Sequence, residues 1–216
     1  LSNQEIVIGG WSLCPRILEP FFGPAAHYVD SNELVAQVID DDGALIENWP
    51  RVICESIRNS AMVGPYRLIG WSMGAMIAFA CARALKPTEL VFLSPTLSFV
   101  RRPDYRFGMN PAVLRRMRAS LVADRTSTLR QFQENCGIPE NHVGESEAHA
   151  DTPILKKGLS FLELADLRSL TPPEVPIRIL YSEEDRIIPP TASRLFAEQC
   201  GSPAESMLGG HAFFVN

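Results

Sequence analysis

The chain has 216 residues, of which 46% are hydrophobic and 21% charged, and its formal net charge is −5. A chain of this size and balance buries a real core in one domain, or in one domain with an insertion, which excludes a disordered polymer. Mild acidity argues against nucleic acid as a partner. The average hides an asymmetry: residues 101–130 hold eight arginines (Arg101, Arg102, Arg106, Arg115, Arg116, Arg118, Arg125 and Arg130) against Asp104 and Asp124, so this stretch carries +6 and the rest −11.

Cys14, Cys54, Cys81, Cys136 and Cys200 are odd in number, scattered, and form neither C-x-x-C nor a zinc-spaced cluster with histidine. They read as reduced, mostly buried thiols, with no metal and no cofactor implied. The apolar run Trp71–Ala82 is too short to cross a bilayer, and the first residues show no basic, cleavable leader. The expectation is a monomer in the cytoplasm with no membrane contact.

In chain order, Glu5–Gly9 is a short apolar run closed by glycine and predicts a buried strand. Ala25–Asp30 is a weaker strand. Asn48–Ile57 carries Trp49, Val52, Ile53 and Ile57 on a helical period. Tyr66–Gly70 predicts a strand, Met73–Leu85 a helix rich in small residues, and Glu89–Ser94 another strand. Ile177–Tyr181 and Ala204–Leu208 complete the strand set. Alternating strands and helices predict an α/β fold with a mostly parallel sheet.

Between Ser94 and Pro176 strand signals vanish and helices replace them. Pro111–Val122 follows Asn110, which suits an N-cap before proline at the first helical position. Thr126–Cys136 and Pro153–Ala165 follow. The reading is a core domain of residues 1–94 and 177–216, with a helical lid inserted at 95–176.

Gly70-Trp71-Ser72-Met73-Gly74 matches G-x-S-x-G between a predicted strand and a predicted helix. The turn from strand to helix is so sharp that a β-carbon at 70 or 74 would strike backbone. It thrusts the Ser72 hydroxyl outward beside a helix N-terminus. Serine needs a base, and the order serine, acid, histidine selects His211 over His27, His142 and His149. The acid belongs after the strand Ile177–Tyr181, where Glu183, Glu184 and Asp185 compete. Asp185 is favoured because Ile187-Ile188-Pro189 then return to the core. An oxyanion hole needs two backbone N–H groups, for which Met73 and Trp11, after Gly9-Gly10, are the candidates.

These residues make the chain resemble the α/β-hydrolase superfamily along nearly its whole length. Gly9-Gly10-Trp11 is similar to that family's His-Gly-Trp loop, with glycine in place of histidine. Segments 158–170, 180–189 and 210–213 resemble more narrowly the BioH-type pimeloyl-[acyl-carrier protein] methyl ester esterases of biotin synthesis. The resemblance implies a sheet of about six strands without the usual N-terminal hairpin, and a chain lacking the usual helix after the histidine. It implies a carboxylesterase using Ser72, His211 and Asp185 through an acyl-enzyme. The basic lid would then dock an acidic acyl-carrier protein, with Arg115 and Arg118 on its exposed face. Trp71, Phe213 and Phe214 are candidates to line an acyl channel. A thioesterase or general carboxylesterase, and an inactive scaffold, are the competing expectations.

Overall fold

The computed structural model describes residues 4–60, 64–139 and 150–215. Six strands form one sheet: β1 (Gln4–Ile8), β2 (His27–Val29), β3 (Tyr66–Trp71), β4 (Glu89–Leu93), β5 (Ile177–Ser182) and β6 (Ala204–Met207). Their order is β2-β1-β3-β4-β5-β6, and every neighbouring pair is parallel. Parallel strands covered on both faces read as apolar runs rather than alternating ones. Accordingly Ile6, Val7 and Ile8 of β1 and Leu90 through Leu93 of β4 are all buried. Where β1, β3 and β4 begin, Glu5, Arg67 and Glu89 face one another in register, and Arg67 pairs with Glu5 at 2.7 Å and Glu89 at 2.9 Å.

The chain leaves β1 outward to β2 and returns across it to β3, so direction switches between β1 and β3. In open parallel sheets such a switch opens a crevice at the carboxyl ends of the two strands. Trp11 follows β1 there and Ser72 follows β3.

Among the described residues the α-helices are α1 (Glu19–Phe22), α2 (Ser31–Ala36), α3 (Trp49–Ser60), α4 (Met73–Leu85), α5 (Pro111–Ala123), α6 (Arg125–Cys136), α7 (Thr152–Leu164) and α8 (Pro190–Cys200). Helix α4 is buried nearly all round, and Ala75, Ala78 and Ala82 let it lie close between α3 and the sheet. Helices α5, α6 and α7 fall between β4 and β5, as the loss of strand signals predicts. Asn110 caps α5 through a side-chain bond from the Ala112 N–H. Helix α6 begins one residue before the predicted start, because Asp124 rather than Arg125 caps it, accepting from the Ser127 N–H. The two ends of the intervening segment are clasped together. Ser98 bridges Asp166, the Leu167 N–H donates to the Leu97 carbonyl, and Arg168 ion-pairs with Asp104 and Asp166.

Candidate active site

The elbow is built from backbone crowding. A β-carbon on Gly70 would strike the backbone of Gly74 and Ala75, and one on Gly74 would strike the Ile8 and Gly9 carbonyls. Ser72 sits between them at φ 56° and ψ −115°, a conformation most side chains avoid. It is held there from both sides. Its N–H donates to the Leu93 carbonyl at 2.9 Å, and its own carbonyl accepts from Ala75 and Met76 at 3.0 and 3.2 Å. Ser12 and Ser94, after β1 and β4, also have positive φ, and their hydroxyls are buried with no described partner.

The structure brings His211 and Asp185 together. Nδ1 of His211 lies 2.7 Å from Oδ2 of Asp185, and both side chains are 1% exposed. The other carboxylate oxygen, Oδ1, accepts from the Ile187 and Ile188 N–H groups at 2.8 and 2.9 Å. Of the three acids Asp185 is the one that meets His211: Glu183 instead pairs with Arg194 and Tyr181, and the exposed Glu184 contributes its N–H to Ser182. His211 Nε2 is buried without a described partner. His142 and His149 lie outside the described residues.

Burial pushes the Asp185 carboxyl up, but the His211 charge and hydrogen bond, with the Ile188 and Ile187 amides, outweigh it and hold its pKa below the ordinary aspartate value. A depressed folded pKa means stability present above the unfolded value, about 3.9 for aspartate, and lost as pH falls through the folded one. The gap in urea midpoint between wild type and Asp185→Asn is therefore expected to hold from neutral pH to about pH 4 and to close below it. A gap indifferent to acid would contradict this arrangement.

The histidine loop is gripped from several directions. Trp71 Nε1 donates to the His211 carbonyl at 3.2 Å, with the two rings 5.3 Å apart. Phe214 meets Trp71 edge-on at 4.9 Å, and Phe213 packs on Phe214. Ser182 Oγ donates to the Gly209 carbonyl. Gly210 allows close approach to α6: a β-carbon there would sit 3.0 Å from the Cys136 carbonyl. That carbonyl accepts from the Ala212 N–H at 2.8 Å. Trp71 thus packs on the histidine, with Phe214 and then Phe213 stacked behind it, all three buried.

Neither the Trp11 nor the Met73 backbone N–H donates to a described protein group. The Trp11 indole is fixed by a 2.9 Å bond to the Leu155 carbonyl of α7 and by edge-on contact with Phe132 of α6 at 4.8 Å. Sequence reasoning missed the groups that pin this loop. Ser31 Oγ donates to the Gly10 carbonyl at 3.0 Å, and Asn32 Oδ1 accepts from the Ser12 N–H at 3.1 Å. Their signal was present as Asp30-Ser31-Asn32, a capping run that starts α2.

A cleft of about 570 Å³ opens between α5 and α6. Phe99, Met109, Met117, Phe132 and Ile187 supply apolar lining, and Arg116 and Arg186 are among its polar groups. None of Trp71, Phe213 and Phe214 lines it.

The arginines divide. Arg118 turns inward to the Leu159 carbonyl and Glu163 of α7, and Arg102 gathers the carbonyls ending α7. Arg101 and Arg125 also bind carbonyls. Arg115, Arg116 and Arg130 are exposed. Among the described residues no group of three or more His, Cys, Asp or Glu is placed to hold a metal, and no helix is long and apolar enough to cross a membrane.

A parallel sheet carrying a strand–serine–helix elbow and a buried histidine–aspartate pair at its carboxyl edge defines the class. The sequence profile described as "Alpha/beta hydrolase family" matches residues 18–216, and the chain belongs to that family. Its relatives include pimeloyl-[acyl-carrier protein] methyl ester esterases. That of Xylella fastidiosa (strain M23) is 27% identical over 177 residues, covering 73% of this chain and 68% of the relative. That of Stenotrophomonas maltophilia (strain K279a) is 30% identical over 170 residues, covering 72% and 66%. Among solved structures, an esterase from Exiguobacterium antarcticum superposes with a TM-score of 0.78 at 19% identity over 99% of this chain and 87% of that one. A hydrolase from Oleispira antarctica gives 0.76 at 16% identity, covering 100% and 86%. Family and relatives together place the chain among the carboxylesterases.

Proposed function

We propose that the protein hydrolyses a carrier-bound acyl methyl ester, of the pimeloyl-[acyl-carrier protein] kind, through an acyl-enzyme on Ser72. The observation that carries the reading is the buried His211–Asp185 pair at 2.7 Å, on the same sheet edge as the elbow serine. Ser72 Oγ attacks the ester carbonyl as His211 Nε2 takes its proton. Asp185 holds the imidazole in the required tautomer and stabilises the imidazolium. The developing oxyanion is received by the Met73 and Trp11 N–H groups. His211 then protonates the departing methoxide, and methanol leaves. Water attacks the acyl-enzyme, passes a proton to His211, and the Ser72 Oγ–carbon bond breaks with return of that proton to the serine. The products are a free carboxylic acid and the original enzyme.

The relatives' names supply the substrate class, and the cleft between α5 and α6 offers an apolar seat for an acyl chain. Docking of an acidic carrier now rests on Arg115 rather than Arg118, whose charge is engaged by Glu163. A fluorophosphonate probe is expected to label Ser72; absence of the adduct overturns the enzyme mechanism. Arg115→Glu is expected to lower kcat/KM for the carrier-bound methyl ester by about tenfold at low salt, with the deficit shrinking as salt rises. Equal loss on p-nitrophenyl butyrate would show that Arg115 has no role in carrier recognition.

A further inference from the structure

Helix α6 joins the Trp11 loop to the histidine loop. Near its middle, Phe132 rests on Trp11, which follows β1. At its end the Cys136 carbonyl receives the Ala212 N–H of the histidine loop, which follows β6. The elbow on β3 lies between these strands in the sheet, and Ser72 is only 5% exposed. The buried face of α6 is Leu129, Gln133 and Cys136. Gln133 therefore sits between the two anchors, facing inward.

Its side chain is 0% exposed, and neither Nε2 nor Oε1 has a hydrogen-bond partner among the described residues. A buried primary amide with both ends unsatisfied is costly. Leucine would fill the same helical position without that cost. An amide in this place has a use only if something else binds it. His211 Nε2, the atom that must exchange protons with water, is also buried without a described partner.

We propose that the Gln133 carboxamide holds the hydrolytic water of deacylation against His211. This rests on the acyl-enzyme reading given above. Water has two protons and one attacking oxygen. One proton points to His211 Nε2 and passes to it as the oxygen attacks the acyl carbon. The second proton is held by Gln133 Oε1 and stays on the product acid. An alcohol in the water's place has one proton, needed by His211, and offers nothing to Oε1. Gln133 thus favours water over alcohol as acceptor of the acyl group.

The test is product partition. Wild type and Gln133→Leu are given p-nitrophenyl butyrate in water–methanol mixtures, and butyric acid and methyl butyrate are quantified. Gln133→Leu is expected to shift the acid-to-ester ratio toward methyl butyrate by about tenfold, with a pre-steady-state burst of p-nitrophenol as deacylation slows. Gln133→Glu, which keeps an acceptor, is expected to restore part of the ratio. Gln133→Leu is also expected to melt at a higher temperature, since a costly polar group has been removed. An unchanged ratio, or a lower melting temperature, overturns the proposal. Fluorophosphonate labelling separates the two levels. If wild type takes no label, the acyl-enzyme reading fails; if both proteins label and the ratio does not move, only the role of Gln133 fails.

Discussion

Replacing Ser72 with alanine is expected to lower kcat/KM for ester hydrolysis by about 10⁶-fold while leaving the thermal melt within a degree or two of wild type. The serine adds no side-chain bond that caps α4, and its φ of 56° strains serine and alanine alike. Its contribution is therefore confined to chemistry. Residues acting as a unit are not additive, so Ser72→Ala combined with His211→Ala is expected to be no worse than either alone. Steady-state assays on p-nitrophenyl butyrate with denaturation curves on the same preparations settle it. A loss of less than about a hundredfold would mean that the acyl group is transferred some other way.

Gly74→Ala is expected to destabilise the fold by more than about 4 kcal/mol. The added methyl would meet the Ile8 and Gly9 carbonyls, which are backbone atoms at the end of β1 and in the loop behind it. Neither can yield without moving β1 off β3, and the Trp11 loop would move with it. Gly201→Ala is the control. That glycine lies at φ +61° with nothing within 4 Å of its β-carbon position, so only the left-handed backbone preference of about 1–2 kcal/mol is lost. Urea denaturation of the two variants separates collision from conformation. Similar losses at both positions would show that the elbow tolerates a side chain.

Much of the sheet, the strand–serine–helix elbow and the meeting of His211 with Asp185 could be read from the chain because local rules and global fold agree there. Buried parallel strands are apolar throughout, so Ile6–Ile8, Leu68–Trp71 and Leu90–Leu93 announced themselves. Asp185 was separable from Glu183 by the apolar Ile187-Ile188 that follows, and those two amides are what hold its carboxylate. Helix α2 is too short, at six residues, to show a helical period, and α8 (Pro190–Cys200) opens on Pro189-Pro190, a pair that reads equally as a loop. The inward turn of Arg118 was hidden for a different reason. Helical spacing opposes it to Val113 and Met117, but α7 packs on that side as well, so the position is solvated in an isolated helix and occupied in this one. Periodicity reports which face is apolar, not how many neighbours a helix has. The cleft between α5 and α6 depends on the same unseen arrangement.

The clamp of α6 on both Trp11 and the histidine loop also governs when activity first exists. Residue 11, the elbow at 72, the proposed acid at 185 and the proposed base at 211 come from four separated parts of the chain, and an intervening helix locks the first to the last. Pairings of such high sequence separation form late in folding. In a refolding experiment the helical circular-dichroism signal should recover first and esterase turnover last. Turnover then serves as a clock for final closure of the chain.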